Sequence, residues 1–89
     1  MDDDVLYRVR ATTDAKDLAH KIVHTCRDGE TIILRAIGAQ AVHQAVKAGA
    51  IARSLVAANG RDLYLAPGFQ DVQMPDGITT ANILRVVVH

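Results

Sequence analysis

The first third of the chain shows two hydrophobic periods in succession. Residues 5–11 alternate between apolar side chains and the arginines Arg8 and Arg10, and a period of two predicts a strand with one buried face. From position 15 to position 26 the apolar residues recur at helical spacing. Asp14, which follows two threonines, is suited to cap the start of this helix, and Gly29 is suited to end it in a left-handed conformation. The pattern predicts a strand followed by an amphipathic helix.

The middle of the chain predicts a second strand and a second helix. Residues 31–37 are β-branched or apolar at almost every position, which is typical of a strand inside a sheet. Gly38 interrupts that run and begins an alanine-rich helix over residues 39–56, which Asn59-Gly60 brings to an end. The small residues Ala41, Ala45, Ala48 and Ala52 form one stripe of this helix. They indicate either close packing on the sheet and the first helix or a flank that docks on a second subunit.

The last third predicts two more strands. Residues 62–66 form a short third strand ended by Pro67-Gly68, residues 69–77 form a loop, and residues 78–88 form a fourth strand. The resulting α/β order is βαβαββ in two layers. Because connections are short and crossovers right-handed, both helices should cover one face of the sheet. The other face is left open, with these side chains: Leu6, Arg8, Arg10, Ile33, Arg35, Ile37, Ile83, Arg85 and Val87.

Length and composition limit the classes of protein that fit this pattern. At 89 residues, 49% apolar and 22% charged, the chain suits one folded domain and does not resemble a disordered segment. No apolar run approaches the roughly 20 residues that span a bilayer. The acidic start Met1-Asp2-Asp3-Asp4 lacks the pattern of a signal peptide, and Cys26 has no second cysteine to pair with. We therefore expect a cytoplasmic protein without a membrane partner or an internal disulfide.

The charge is balanced in total but not in its distribution. Ten basic and ten acidic residues give a net charge of zero. Between Val5 and Arg61, however, nine basic residues face four acidic ones, an excess of five positive charges. Residues 1–4 and the predicted loop with Asp71 and Asp76 carry the compensating acids. The arginines of the open face can therefore be a solvated surface or a cluster that binds phosphates.

Two segments of the sequence resemble a known family. Residues 36–53, with the motif Ala-Ile-Gly-Ala-Gln-Ala-Val-His-Gln-Ala-Val-Lys-Ala-Gly-Ala-Ile-Ala-Arg, and residues 62–72 resemble the stage V sporulation protein S family, over about residues 5–88 of the chain. That family is similar to the Alba group of small chromatin proteins. The resemblance implies a single Alba-like domain over residues 1–89, with two helices on one face of a mixed four-stranded sheet. It also implies a homodimer or larger homo-oligomer, binding of DNA or RNA, and a link to sporulation or developmental gene control.

The resemblance also indicates where nucleic acid would bind. Alba-like domains contact it through basic residues after the first strand, the start of the second helix and the hairpin of the last two strands. Carried over to this chain, together with the open-face arginines, the expected residues are Arg8, Arg10, Lys16, Gly38, Gln40, Lys47 and Arg53. Three features depart from the pattern. The loop Thr12-Thr13-Asp14 before Lys16 is not basic, residues 38–40 contain no arginine, and Asp71 and Asp76 would repel phosphate.

Other kinds of site find little support. His20 and His24 are spaced as two zinc ligands could be, with Cys26 nearby, but no further ligand motif completes a metal site. A cysteine nucleophile and a histidine base two residues apart on one helix point in different directions, and no phosphate-binding glycine loop is present. The sequence therefore predicts no catalytic residue, no metal and no cofactor. Phe69 is the one aromatic ring expected in a loop, where it would reach a base or a partner or hold the loop in place.

The leading interpretation is a non-catalytic, Alba-like protein that binds DNA or RNA through phosphate contacts as a homo-oligomer. The alternative is a protein–protein assembly module with the same fold and little affinity for nucleic acid. The zero net charge and the acidic residues 71 and 76 favour that alternative. Burial of the four open-face arginines at a subunit contact, or their pairing with acids, would also favour that alternative.

Overall fold

A computed structural model of the chain describes residues 4–27 and 30–89. The predicted C-cap at Gly29 and the acids Asp2 and Asp3 lie outside the described residues. The elements are β1 (Val5–Val9), α1 (Ala15–Arg27), β2 (Ile32–Ala36), α2 (Ala39–Ala57), β3 (Leu63–Met74) and β4 (Gly77–Val88). Their order is the βαβαββ order that the sequence predicts.

The four strands form one mixed sheet in the order β1-β2-β4-β3. β1 and β2 are parallel, while β4 is antiparallel to both of its neighbours. Ile22 of α1 and the strand residues Ile32, Leu34 and Leu63 are fully buried between the helices and the sheet. The two helices thus cover one face, and the opposite face presents the mixture of arginine and aliphatic side chains expected from the alternation of the strands.

Helix α1 begins where its cap was predicted. The carboxylate of Asp14 accepts a hydrogen bond from the backbone N–H of Asp17 at 2.9 Å, which satisfies one of the unpaired donors of the first turn. The last turn is joined to β1 by a hydrogen bond of 2.8 Å between the hydroxyls of Tyr7 and Thr25. Thr25 is the one buried polar residue among those that the structure describes.

Helix α2 packs through its smallest side chains. Its buried residues are Ala41, Ala45, Ala48, Gly49, Ala52 and Val56. A Cβ atom built on Gly49 would lie only 2.8 Å from Cδ1 of Leu65, so the helix crosses β3 at this glycine. The alanine stripe therefore packs within the chain, on the sheet and on α1.

The prediction for residues 62–77 is wrong in its details. β3 does not stop at residue 66 but continues through Pro67-Gly68 to Met74, so the predicted loop is mostly strand. A proline is tolerated here because β3 is the edge strand, where half of the N–H groups point away from the sheet. A two-residue turn at Pro75 and Asp76 connects β3 to β4.

The hairpin extends well past the rest of the sheet. β4 pairs with β2 only from Asn82 to Val86, so residues 70–81 pair only with one another. We call residues 70–81 the hairpin arm. The molecule measures 45 × 28 × 17 Å, and the arm lies beyond the ends of β1 and β2.

Candidate nucleic-acid interface

One edge of the sheet gathers five of the predicted site residues. β1 and β2 are parallel and end side by side, with Val9 opposite Ala36. The connections to α1 and α2 both leave from this edge, which therefore carries the end of β1 and the first turns of both helices. The residues placed there, all exposed, are Arg8, Arg10, Lys16, Gly38 and Gln40. We call this group the basic edge.

The loop between β1 and α1 is held against α2 by hydrogen bonds. The side-chain amide of Gln44 donates to the carbonyl of Thr13 at 2.7 Å. Within the loop, the backbone N–H of Arg10 donates to the Thr13 hydroxyl at 2.7 Å, and the N–H of Thr13 donates to the Arg10 carbonyl at 3.0 Å. The position of Arg10 relative to the start of α2 is therefore fixed by the fold.

The start of α2 has no side chain that caps it. Gly38 occupies the N-cap with φ 91° and ψ 157°, makes no side-chain hydrogen bond to the first turn, and is followed by no acidic residue in that turn. The N–H groups of the first turn and the positive end of the helix dipole therefore face an uncapped opening. Helix termini of this kind bind anions. Lys47 lies seven residues after Gln40 and so on the same side of α2, roughly 13 Å from Gly38 at 1.5 Å per residue.

Three arginines line one cavity beside this edge. Arg8 and Arg35 are direct neighbours in the parallel pairing of β1 and β2. Together with Arg10 they border a cavity of about 440 Å³. Val72, Gln73 and Met74 of the hairpin arm also line this cavity. We call this the arginine cavity.

Arg85, the fourth arginine of the open face, is placed elsewhere. It pairs with Ile33 on β2 and borders a different cavity, next to Arg61 and Glu30. The structure therefore brings together Arg8, Arg10 and Arg35, three of the four arginines predicted on the open face. Among the residues that the structure describes, none of these four forms an ion pair.

Arg53 lies apart from the basic edge. It is fifteen residues along α2 from Gly38, which corresponds to roughly 22 Å. Its Nε atom donates to a carboxylate oxygen of Asp62 at 2.7 Å, in the sole ion pair found within residues 4–27 and 30–89. The hydrogen bond from Arg53 lowers the pKa of Asp62, and the same contact raises the pKa of Arg53. The charge of Arg53 is thus partly neutralised within the chain.

The acidic residues of the arm, Asp71 and Asp76, are not among the residues that line the arginine cavity. Asp71 accepts a hydrogen bond from the hydroxyl of Thr80 at 3.1 Å. Asp76 is in the exposed turn at the tip of the arm.

The histidine and cysteine candidates are separated. His20 and His24 border a cavity next to Tyr7 and Thr25, whereas Cys26 borders the cavity near Arg61. No three His, Cys, Asp or Glu side chains come together as a metal site in the part of the chain that the structure describes. Burial raises the pKa of the Cys26 thiol. Neither of the described helices is both long and apolar enough to cross a membrane.

Two contributors to this region were missing from the predicted site. Arg35 was assigned to the open face but not to the site, and only its register with Arg8 brings it to the cavity. The hairpin arm was predicted as a loop. The alternation of Val72, Gln73 and Met74 before the turn at Pro75 and Asp76 was the available signal for a strand there.

Comparisons with known proteins show to which fold class and family this chain belongs. The fold is that of the Alba-like class: it matches Alba from Thermoplasma volcanium with a TM-score of 0.59 and 13% sequence identity, covering 92% of this chain and 98% of that chain. At this identity the likeness concerns the fold alone. Within the class, the family model of stage V sporulation protein S (SpoVS) matches residues 5–89, and the chain belongs to that family. The resemblance drawn from residues 36–53 and 62–72 is confirmed.

Proposed function

We propose that the protein binds the phosphate backbone of DNA or RNA through its basic edge, without catalysis. The observation that carries the proposal is the position of Arg8 and Arg10 beside the uncapped start of α2. Guanidinium groups and free helix N–H groups are both suited to phosphate oxygens, and here they lie at one edge and face solvent. Lys16 and Lys47 extend the same positive surface along the two helices.

The proposed mode of binding is positioning on the backbone and not reading of bases. Phosphate contacts fix a protein on nucleic acid but carry no sequence information. Tyr7, Tyr64 and Phe69 do not form a stacking platform, since Tyr7 is bonded to Thr25 and Tyr64 packs against His89 with ring centroids 6.0 Å apart. We therefore expect weak dependence on sequence and strong dependence on salt.

Fluorescence anisotropy with labelled duplex DNA and duplex RNA tests the proposal. Binding is expected at low salt, about 50 mM, with an affinity that falls linearly on logarithmic axes as salt increases. In the variant Arg8→Ala/Arg10→Ala the slope should become less steep by about 2, because each lost phosphate contact removes about 0.9 from it. The loss should be similar for unrelated sequences.

Arg61→Ala is a control for the loss of positive charge outside the basic edge. It removes one positive charge from an exposed position at the far end of α2, away from the basic edge. A double variant that behaves like Arg61→Ala, or wild-type protein that shows no binding at about 50 mM salt, would refute the proposal.

A specific observation supports the second candidate, a module for self-assembly. Phe69 at the base of the hairpin arm is 77% exposed, and Ile78 within the arm is 70% exposed. Large apolar side chains so exposed are typical of contact surfaces. Sedimentation of wild type and of Phe69→Ser/Ile78→Ser would separate the candidates. An oligomer lost in this variant, together with absent nucleic-acid binding in wild type, would favour the assembly module, whereas an oligomer that binds duplexes fits the first proposal with a homo-oligomeric protein.

A further inference from the structure

The arginine cavity carries a repulsion that the fold does not relieve. Arg8 and Arg35 are direct neighbours on adjacent strands, and like charges in such pairs destabilise a sheet. Arg10 adds a third positive charge at the same cavity. No carboxylate borders the cavity, and no ion pair of these arginines occurs in residues 4–27 and 30–89. An anion of more than one charge would convert this repulsion into attraction.

The volume of the cavity and its apolar lining residues further limit the class of ligand that would fit. Its volume of about 440 Å³ falls within the range of about 300–1,000 Å³ that small-molecule sites occupy. Ile37, Val72 and Met74 also line the cavity and offer an apolar surface. Arg35 is partly buried, so its charge is less screened by water than that of a fully exposed arginine. A compact anion attached to a less polar group fits such a site.

We propose that the arginine cavity binds the terminal phosphate of a nucleotide, a phosphomonoester with the sugar and base against Ile37, Val72 and Met74. A phosphomonoester carries about 1.5 to 2 negative charges near pH 7, whereas a phosphodiester of the backbone carries about one. Arginine also pairs with phosphate oxygens in a bidentate manner that lysine cannot match. Two sources share this chemistry, a free mononucleotide and the phosphorylated end of a strand, and the second of these rests on the proposed nucleic-acid binding.

Titration of the full chain with a 5′-mononucleotide, its unphosphorylated nucleoside and inorganic phosphate tests the site. Calorimetry and amide NMR shifts should show binding of the mononucleotide, with shifts at residues 8–10 and 35–37, and no binding of the nucleoside. Arg35→Gln should weaken mononucleotide binding roughly tenfold or more, because it removes charge-assisted hydrogen bonds. Arg85→Gln removes the same charge from the same face outside the cavity and should change affinity less than about twofold.

Two further measurements distinguish specific phosphate binding at this site from general attraction between opposite charges. Arg35→Lys keeps the charge but loses the bidentate geometry, so it should also weaken binding. Wild-type affinity for the mononucleotide should fall as the pH drops through about 6, where a phosphomonoester takes up its second proton. The charged groups that border the cavity are Arg8, Arg10 and Arg35, and the residues that the arm contributes, Val72, Gln73 and Met74, have no ionisable side chain.

The sources are distinguished with short single strands that carry either a 5′-phosphate or a 5′-hydroxyl. Tighter binding of the phosphorylated strand identifies a strand end as ligand, and equal binding of both strands with mononucleotide binding retained identifies a free nucleotide. The inference is overturned if wild type binds neither the mononucleotide nor the 5′-phosphorylated strand, or if Arg35→Gln and Arg85→Gln weaken mononucleotide binding equally. If the inference is overturned but wild type still binds duplexes, the proposed function stands. If wild type binds the mononucleotide but no duplex, the proposed function is refuted and the inference about the arginine cavity stands.

Discussion

The close approach of Gly49 to Leu65 predicts that Gly49→Ala changes stability in a direction that depends on whether the Leu65 side chain is present. Gly49 lies in the interior of α2, where alanine is favoured over glycine by about 1 kcal/mol because its backbone loses less freedom on folding. The added methyl group, however, would lie 2.8 Å from Cδ1 and 3.2 Å from Cγ of Leu65. Forcing extra volume into a packed contact costs about 1–3 kcal/mol. Gly49→Ala should therefore lower the free energy of unfolding by about 0 to 2 kcal/mol.

Removing the leucine side chain should reverse that sign. In a Leu65→Ala protein the methyl group at position 49 meets no branched side chain, so the helix preference remains and Gly49→Ala should stabilise by about 1 kcal/mol. The coupling between the two substitutions is then about 1–3 kcal/mol, well above the few tenths expected of independent sites. In a chain of this size 1 kcal/mol corresponds to a shift of about 4–8 °C in the melting temperature.

The assay is urea unfolding followed by circular dichroism, on wild type, both single variants and the double variant. Protein concentration is held constant, since self-association would make apparent stability depend on it. The slope with urea should stay the same in all four proteins, which shows that the unfolding transition itself is unchanged. If Gly49→Ala stabilises wild type, or if its effect is the same with and without Leu65, the close approach of α2 to β3 at this position is wrong.

Three further substitutions test other parts of the fold. Gly38→Ala should destabilise by about 1–3 kcal/mol, because φ 91° and ψ 157° form a region nearly restricted to glycine while the added methyl group meets no atom within 4 Å; thermal melting checks this. Tyr7→Phe should cost about 1–3 kcal/mol because the buried hydroxyl of Thr25 loses its partner, whereas Thr25→Val should cost less since the Tyr7 hydroxyl is only partly buried; equal costs in urea unfolding would contradict this. The pKa of Asp62 is lowered in the folded state, so the contribution of Asp62 to stability is present above the ordinary pKa near 3.8 and is lost as the pH falls through the lower folded pKa. Asp62→Asn should abolish that part of the pH dependence of unfolding. An acid unfolding profile that does not change in this variant would argue against the pairing of Asp62 with Arg53.

The sequence predicted most of the fold because each of the first four elements has a single period and a clear boundary. Residues 5–11 alternate, residues 15–26 follow a helical stripe after Asp14, and the apolar run before Gly38 is typical of an interior strand. The extension of β3 was not predictable in the same way. Proline and glycine at positions 67 and 68 ordinarily end a strand, and only the position of β3 at the edge of the sheet makes them acceptable.

The site was predictable as a set of residue types but not as a geometry. The alternation of side chains along each strand assigns Arg8 and Arg35 to the open face. Only the parallel register of β1 and β2, however, makes them neighbours. Arg53 belongs to the basic positions of the helix motif, but its pairing with Asp62 depends on how the chain turns after α2. Such contacts join residues from different elements, and local patterns carry no information about them.

Two locally unfavourable features of this chain lie at the same edge of the sheet. A helix of 19 residues begins without a side-chain cap, although serine, threonine, asparagine or aspartate at that position would stabilise it by about 1 kcal/mol. Next to it, Arg8 and Arg35 face each other without an acidic partner among the described residues. Sequences that fold well usually satisfy such local preferences, and the exceptions concentrate where a ligand binds. Bound phosphate is suited to relieve either feature, since it accepts hydrogen bonds from free helix N–H groups and neutralises paired guanidinium groups. The two features have different physical origins, so their common location is a stronger argument for an anion at this edge than either one alone.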